Sequence, residues 1–501
     1  MNSIMDGQSG HLGADIFATL RANPQRTIVV DDDGNLTAAD ILNRAQAFAA
    51  ALARHGCGPN SRIMLCLPSN IDALCGSLGA WLIGGAVLMV DFRTPASQRA
   101  VIAKALEATL VVEARRPAGE AIYDSVIIDD TWRHTMNGDF SNFEIRVPET
   151  ATAYYALSSG TTGTPKIYVQ SHGRIRKRIT EVPASAIGGQ GLFLTPMSMS
   201  FTSTRSRVIT YMLGSGRVRF MPPVFSTGEL IETIHRSGAT GCGLPPPVIR
   251  NLVREIGEQP KPFFPKLNLL RSSGGPATPE DKIAAYRNLS TGYCLAFSSN
   301  IVGVTSILSG PDILRKPESS GRLVKNVSVE ILDPETREVL PVGMTGLIKV
   351  YTPYASEAII ESGVSTSQEE LGDGWGITGD LGFMDEDGFL TITGRTSDVI
   401  LRGGVNVAPQ ELEAILRRHP WVDEVAAVGI PDAQYGQEIG LAIVASQGSV
   451  GDFHAYCMSN ISPERRPRII RLFQSLPHNQ NGKLVRSKIV ELLSENATDQ
   501  L

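Results

Sequence analysis

The sequence predicts a layered α/β protein of more than one domain, on three observations. At 501 residues the chain exceeds what one ordinary hydrophobic core accommodates, so two or more domains are expected. From Ala14 to about Ala118, helical stretches alternate with short apolar runs, Thr27–Val30, Ile63–Leu67 and Leu110–Val112 among them. That alternation is the signature of a sheet covered by helices. A second set of such units runs from Leu192 through Phe220 to Ile301. A hydrophobic fraction of 42% with mixed charges fits a soluble globular enzyme, and a formal net charge of −5 leaves no basic footprint for nucleic acid. Cys57, Cys66, Cys75, Cys242, Cys294 and Cys457 form no CxxC pair. Neither a disulfide framework nor a zinc site is therefore expected, and reduced thiols in the cytoplasm fit best.

Taken in order, residues 1–12 read as a polar, frayed end. Met1–Asp6 lacks a basic n-region and an apolar h-region, so no secretory signal is expected. Asp40–Arg54 is an amphipathic helix stopped by Gly56. Ala73–Val90 is apolar enough to raise a membrane span, but Gly84 and Gly85 split it and Asp91 ends it. A buried helix followed by a core strand explains it better. Thr152–Leu157 suits a buried strand. It feeds Ser158, Ser159, Gly160, Thr161, Thr162, Gly163, Thr164, Pro165 and Lys166. Two glycines allow a tight turn that presents N–H groups to an anion, and the hydroxyls and the lysine add donors suited to a polyphosphate. Pro165 before Lys166 and Ile167 after it rule out a Walker A loop. A flexible Ser/Thr/Gly surface loop has the same composition.

With its continuation to His172, this run resembles the phosphate loop of the adenylate-forming superfamily, which comprises acyl-CoA synthetases, peptide-synthetase adenylation domains and luciferases. The resemblance extends over nearly the full chain. It implies an enzyme that activates a carboxylic acid with ATP as an acyl-adenylate, releases pyrophosphate, and usually passes the acyl group to a thiol. Leu192–Phe201 resembles the segment carrying a His or Phe beside the acyl pocket, with Phe201 as counterpart, although a core phenylalanine reads the same way. Thr202, Arg205, Ser299 and Asn300 are assigned to the same pocket. Thr202 stands where amino-acid-activating relatives carry an Asp, which disfavours an α-amino acid. Arg205 is a candidate partner for a second carboxylate, although a solvent-facing helix arginine is the commoner explanation, and of Arg205 and Arg207 at least one is expected to face solvent. Ser272–Ala277 matches the turn lining the adenine site, through Gly274, Gly275 and Pro276.

Val302-Gly303-Val304-Thr305-Ser306 stands where the family shows Tyr-Gly-x-Thr-Glu. Gly303 and Thr305 fit, the latter as a phosphate contact. Val302 replaces the aromatic over the adenine, and Ser306 replaces the glutamate that helps hold Mg²⁺. No metal ligand is therefore assigned, and a weakened Mg²⁺ site is expected.

From Arg322 to Thr391 the pattern turns to β, with hairpin-type turns at Asp333–Thr336 and Asp385–Gly388. Within it, Asp373–Gly382 matches the family's dGWxxTGD segment, and Asp380 is expected to accept the ribose hydroxyls. Arg395 is expected on the ribose or phosphate. Relatives place a domain boundary at this arginine, which implies a large domain of residues 1–395 and a small, mobile α+β domain of 396–501. Ser397 stands at the family's Lys/Asp hinge. Arg402–Pro409, with Gly403 and Gly404, looks more like the pantetheine-channel loop of CoA ligases than the RGxRIEL form of peptide-synthetase domains. Asn481-Gly482 is a strong hairpin signal. It delivers Lys483, which matches the family's catalytic lysine; Thr305 and Lys166 are the other catalytic candidates. The favoured reading is an acyl- or aryl-CoA ligase using ATP, Mg²⁺ and coenzyme A. The alternatives are a stand-alone enzyme loading a carrier protein, and a degenerate nucleotide- or acyl-binding homologue, the latter resting on Val302 and Ser306.

Overall fold

The computed structural model describes residues 10–32, 34–114, 123, 125–129, 132, 147–157, 165–180, 188–361, 364–367, 374–403, 405–479 and 483–494. Among the described residues the strands form four sheets, of nine, eight, four and five strands. In the eight-stranded sheet, Thr152–Leu157 pairs in parallel with Ala86–Met89 and antiparallel with Lys166–Ser171, in the register Leu157 to Ile167. The expected phosphate loop joins these two paired strands, and Ser158–Thr164 lie outside the described residues.

The nine-stranded sheet places Leu269–Ser273 beside Tyr293–Ser299 in parallel, and Gly303–Ser309 returns antiparallel to the latter. Helices Leu12–Ala22, Ala38–Arg54, Asn70–Leu82 and Thr202–Leu213 contribute to one large apolar core with strands of both sheets. Trp81 sits in it fully buried, its indole donating to Ala153 O at 3.0 Å. A buried indole needs such a partner, and this one ties the helix to strand Thr152–Leu157.

Local chemistry explains the boundaries. Thr37 caps Ala38–Arg54 by accepting from Asp40 N at 3.2 Å, while Asp40 accepts from Thr37 N at 2.8 Å; this reciprocal box satisfies two otherwise orphan donors. Ala73–Val90 resolves into the helix Asn70–Leu82 and the strand Ala86–Met89, as read. Between them Gly84 adopts φ +77°, a left-handed turn that a β-carbon disfavours. No helix of the described residues is long and apolar enough to cross a membrane. The expectation of a frayed end through residue 12 needs correction, because His11 and Leu12 are buried. His11 Nδ1 accepts from Ala14 N at 3.2 Å and starts the first helix. The signal was a histidine acting as an N-cap, outside the usual Ser/Thr/Asp/Asn set.

The β-rich stretch forms the four-stranded antiparallel sheet, in the order Ser328–Leu332, Gly346–Tyr351, Trp375–Met384, Leu390–Arg395. From Ile400 the chain builds the five-stranded sheet, with two apolar clusters made of residues from Ile400 to Leu493 alone.

Candidate active site

Asn300 joins the end of strand Thr152–Leu157 to the start of helix Thr202–Leu213. Its Nδ2 donates to Leu157 O, at the foot of the phosphate loop, at 2.6 Å. Its Oδ1 accepts from Thr202 Oγ1 at 3.0 Å, at the start of helix Thr202–Leu213. Its carbonyl accepts from Ser356 Oγ at 2.8 Å and from Arg178 Nη2 at 3.2 Å. Arg178 also donates to Ile301 O and Tyr354 O at 3.1 and 2.9 Å. Burial pushes its guanidinium down to about 10, a cost that the four carbonyl and hydroxyl acceptors offset. Ser299 accepts from Val302 N at 3.3 Å through Oγ. Phe201 is half-buried and precedes the helix as its N-cap residue.

Arg205 and Arg207 overturn the expectation that at least one faces solvent, since both are buried. Arg205 donates to Ser200 O at 2.9 Å and Thr202 Oγ1 at 3.2 Å, and lies over the Tyr154 ring at 4.7 Å. It therefore braces the helix start against the phosphate-loop strand. Sequence could not show this, because the partners are carbonyls and a ring on a separate strand.

Gly274 is exposed, adopts φ +91°, and has open space where a side chain would stand. Gly275 and Pro276 follow it between strand Leu269–Ser273 and the helix starting at Pro279. Gly303 takes φ +78°. Val302, Thr305 and Ser306 are all fully buried. Thr305 Oγ1 has no hydrogen-bond partner, whereas Ser306 Oγ donates to Ser320 O at 2.9 Å. Ser306 is thus committed to the neighbouring backbone, and among the described residues no group of three His, Cys, Asp or Glu is placed to hold a metal ion.

The centre of the site is Asp380, on strand Trp375–Met384 opposite Arg395 of strand Leu390–Arg395. Arg395 Nε reaches Asp380 Oδ1 at 2.7 Å. Asp380 is buried and its Oδ2 has no hydrogen-bond partner. Burial raises its carboxyl pKa, while Arg395 and Lys483 act to lower it. A buried carboxylate oxygen without a donor is costly, so this oxygen is open to an incoming hydroxyl.

Lys483 enters from the C-terminal part of the chain. Its N donates to Asn479 Oδ1 at 3.0 Å and its carbonyl accepts from Asn479 N at 2.8 Å. His478 bridges Leu484 antiparallel, which closes the expected tight turn; Asn481 and Gly482 lie outside the described residues. The ammonium is half-buried. Burial and the nearby Arg395 lower its pKa, and Asp380 and Asp398 oppose that shift.

Other expected residues sit apart from this trio. Lys166 pairs with Glu361 on the adjacent strand at 3.0 Å. Gly403 takes φ +54° beside Tyr435, and Gly404 lies outside the described residues. Arg178, Asp398 and Arg486 were not anticipated.

The buried Asp380–Arg395 pair and Lys483, which feels its charge, belong to a chain with a large mixed α/β part and a smaller C-terminal part. The chain belongs to the AMP-binding enzyme family: residues 16–357 match the family's main region, and residues 411–483 match the AMP-binding enzyme C-terminal domain. It is 24% identical over 503 residues to a long-chain-fatty-acid–CoA ligase of Mycobacterium tuberculosis, covering 95% of this chain and 97% of that one. It is 27% identical over 486 residues to an uncharacterized acyl–CoA ligase of Bacillus subtilis, covering 96% and 98%. Its fold matches o-succinylbenzoate CoA synthetase of Bacillus subtilis, solved in complex with an acyl-adenylate intermediate, with a TM-score of 0.82 at 21% identity over 95% and 97% of the two chains.

Proposed function

We propose that this protein is an AMP-forming acid–thiol ligase. A carboxylate oxygen attacks the α-phosphorus of ATP, pyrophosphate leaves, and the acyl-adenylate forms; a thiolate sulfur then attacks the acyl carbon and AMP leaves. The observation that carries this reading is the buried Asp380–Arg395 pair, whose charges act on Lys483. Asp380 Oδ2 accepts the ribose hydroxyls, Arg395 orients that carboxylate, and Lys483 offsets the charge that builds on the α-phosphate. Thr305 and the loop from Ser158 to Lys166 take the phosphates, with Gly274, Gly275, Pro276 and Gly303 beside the nucleotide. Phe201, Thr202, Ser299 and Asn300 form the acid's side of the site, and Arg205 braces it from behind. Mg²⁺ accompanies ATP through the phosphate oxygens, without a carboxylate at position 306.

Coenzyme A is the proposed thiol, with Gly403 and Gly404 at its channel, since relatives matched over nearly the whole chain are named CoA ligases. The proposed boundary follows Arg395, which agrees with the apolar clusters that begin at Ile400. Six free, buried thiols support a reducing, cytoplasmic location. The test is ATP–pyrophosphate exchange against a panel of carboxylic acids, followed by addition of coenzyme A. Acid-dependent exchange with release of AMP and an acyl-CoA is expected. Exchange without discharge by free coenzyme A would move the acceptor to a carrier protein; no exchange with any acid would leave a non-catalytic binding protein.

A further inference from the structure

Two ion pairs stand near Lys483 in the chain's charge pattern. Asp380 pairs with Arg395, and three residues further on lies Asp398, in the short turn Thr396–Asp398. Asp398 Oδ2 stands 3.3 Å from Arg486 Nε. Arg486 is three residues past Lys483 and opens the helix Arg486–Ser494. The Lys483 ammonium lies in the field of Asp380 and Asp398. Arg486 is anchored further by Glu413 Oε1 at 2.7 Å and by the Ala427 carbonyl at 2.6 Å. Glu413 is itself buried and accepts from Ala427 N at 3.0 Å. Ser397 Oγ donates to Asp398 Oδ1 at 2.9 Å, which fixes the carboxylate's orientation.

We propose that Asp398 and Arg486 are positioning residues for Lys483: their ion pair fastens the lysine-bearing hairpin to the segment that carries Arg395. The inference rests on the role given to Lys483 above.

The physical argument is one of freedom. A lysine side chain has a flexible four-carbon stem and three rotatable donors, so its ammonium is poorly fixed by its own backbone. Catalysis by charge placement depends on the ammonium standing where negative charge develops. The backbone at 483 is therefore constrained from both sides, by Asn479 within the hairpin and by Arg486 beyond it. Arg486 is well suited to this, since a planar guanidinium bonds Asp398, Glu413 and a carbonyl at once, which a lysine cannot do. Burial opposes its charge, but Glu413 and Asp398 outweigh that and hold the guanidinium above its ordinary pKa. The guanidinium therefore keeps its charge throughout the working pH range.

The experiment has two readouts. In the first, Lys483 is labelled with acetic anhydride and quantified by peptide mass spectrometry in the natural protein, in Asp398→Asn and in the milder Ser397→Ala. Labelling of Lys483 is expected to rise several-fold in Asp398→Asn and by less in Ser397→Ala, with the melting curves of the variants still cooperative. Unchanged labelling in both overturns the proposal. Because this readout needs no substrate, it decides the latch even if no acid supports turnover, an outcome that would instead overturn the functional reading. In the second, ATP–pyrophosphate exchange is measured for Asp398→Asn, Lys483→Ala and the double variant. Asp398→Asn is expected to lose about tenfold to a hundredfold in kcat, the scale of a small misplacement of a reacting group. The KM for ATP should move little, Asp398→Glu should recover part of the loss, and Asp398→Asn should add little in the Lys483→Ala background. An equal loss in both backgrounds would show that Asp398 acts independently of Lys483.

Discussion

At the scale of single residues, Ser306 and His172 carry the sharpest consequences. Ser306 is buried with its hydroxyl committed to Ser320 O, so it brings no charge to an ion. A charge pair at ~4 Å is worth about 4 kcal/mol before desolvation at an effective dielectric near 20, and part of that is missing here. The natural protein should need more free Mg²⁺ than relatives that carry the glutamate, and Ser306→Glu should lower the requirement in a Mg²⁺ titration at fixed ATP. Tight dependence untouched by the substitution would place the ion on another residue. His172 follows the strand Lys166–Ser171, stacks on His11 with ring centroids 3.8 Å apart, and meets the edge of Trp81. Burial, then the neighbouring His11, push its pKa down to about 2 from 6.5. The unfolded chain takes up a proton below about 6.5 and the folded one does not, so stability falls as pH drops from there toward 2. Each pH unit costs about 1.4 kcal/mol, or about 2 kcal/mol at pH 5. Urea unfolding at pH 7.5 and 5.0 should show this loss, and His172→Phe, which keeps a ring in the stack, should flatten the slope. Sequence identified the changed position 306 because a motif surrounds it. It could not foresee the His11–His172 stack, which joins residues 161 positions apart.

At the scale of elements, the alternation of apolar runs was legible because each run fills one strand. Thr152–Leu157 is a strand over the expected residues, and Asp40–Arg54 lies within the helix Ala38–Arg54. Asp380 and Lys483 were singled out because each lies in a motif set by local backbone chemistry, a strand and a chain reversal; Ser158–Thr164, Asn481 and Gly482 lie outside the described residues. The contacts of Asn300 and Arg178 were not legible, since they reach partners up to 176 positions away. Asn300 tests that link. Its side chain joins Leu157 O to Thr202 Oγ1, the foot of the phosphate loop to the start of the acid-side helix. Asn300→Ala removes both bonds and leaves a half-buried carbonyl and hydroxyl to be resatisfied. With each such bond worth about 0.5–1.5 kcal/mol, kcat/KM for the acid should fall roughly tenfold to a hundredfold. A change confined to the KM for ATP would show that Asn300 serves the nucleotide alone.

At the scale of the whole molecule, the residues from Ile400 onward carry their own apolar clusters and contribute Lys483 to a site whose Asp380 and Arg395 lie before that point. A unit with its own core that touches a second one through polar contacts is free to change position; Arg254 and Asp423, 3.6 Å apart, form one such contact, with both side chains about half exposed. Exposed pairs of this kind contribute little to holding units together. In this arrangement Lys483 feels the charge of Asp380, which fits the adenylation role proposed for it. If the small unit turns about the segment after Arg395 to admit a thiol, Lys483 leaves the site for the second step, a lid-type change. Lys483→Ala should then slow adenylate formation by the worth of one positioned charge, about 2.7–4 kcal/mol or roughly a hundredfold to a thousandfold. Thioester formation from a supplied acyl-adenylate and coenzyme A should proceed at nearly the natural rate. Single-turnover measurements of the two half-reactions separate these outcomes. An equal loss in both would mean that the lysine stays in place throughout, and that one arrangement of the two units serves the whole reaction.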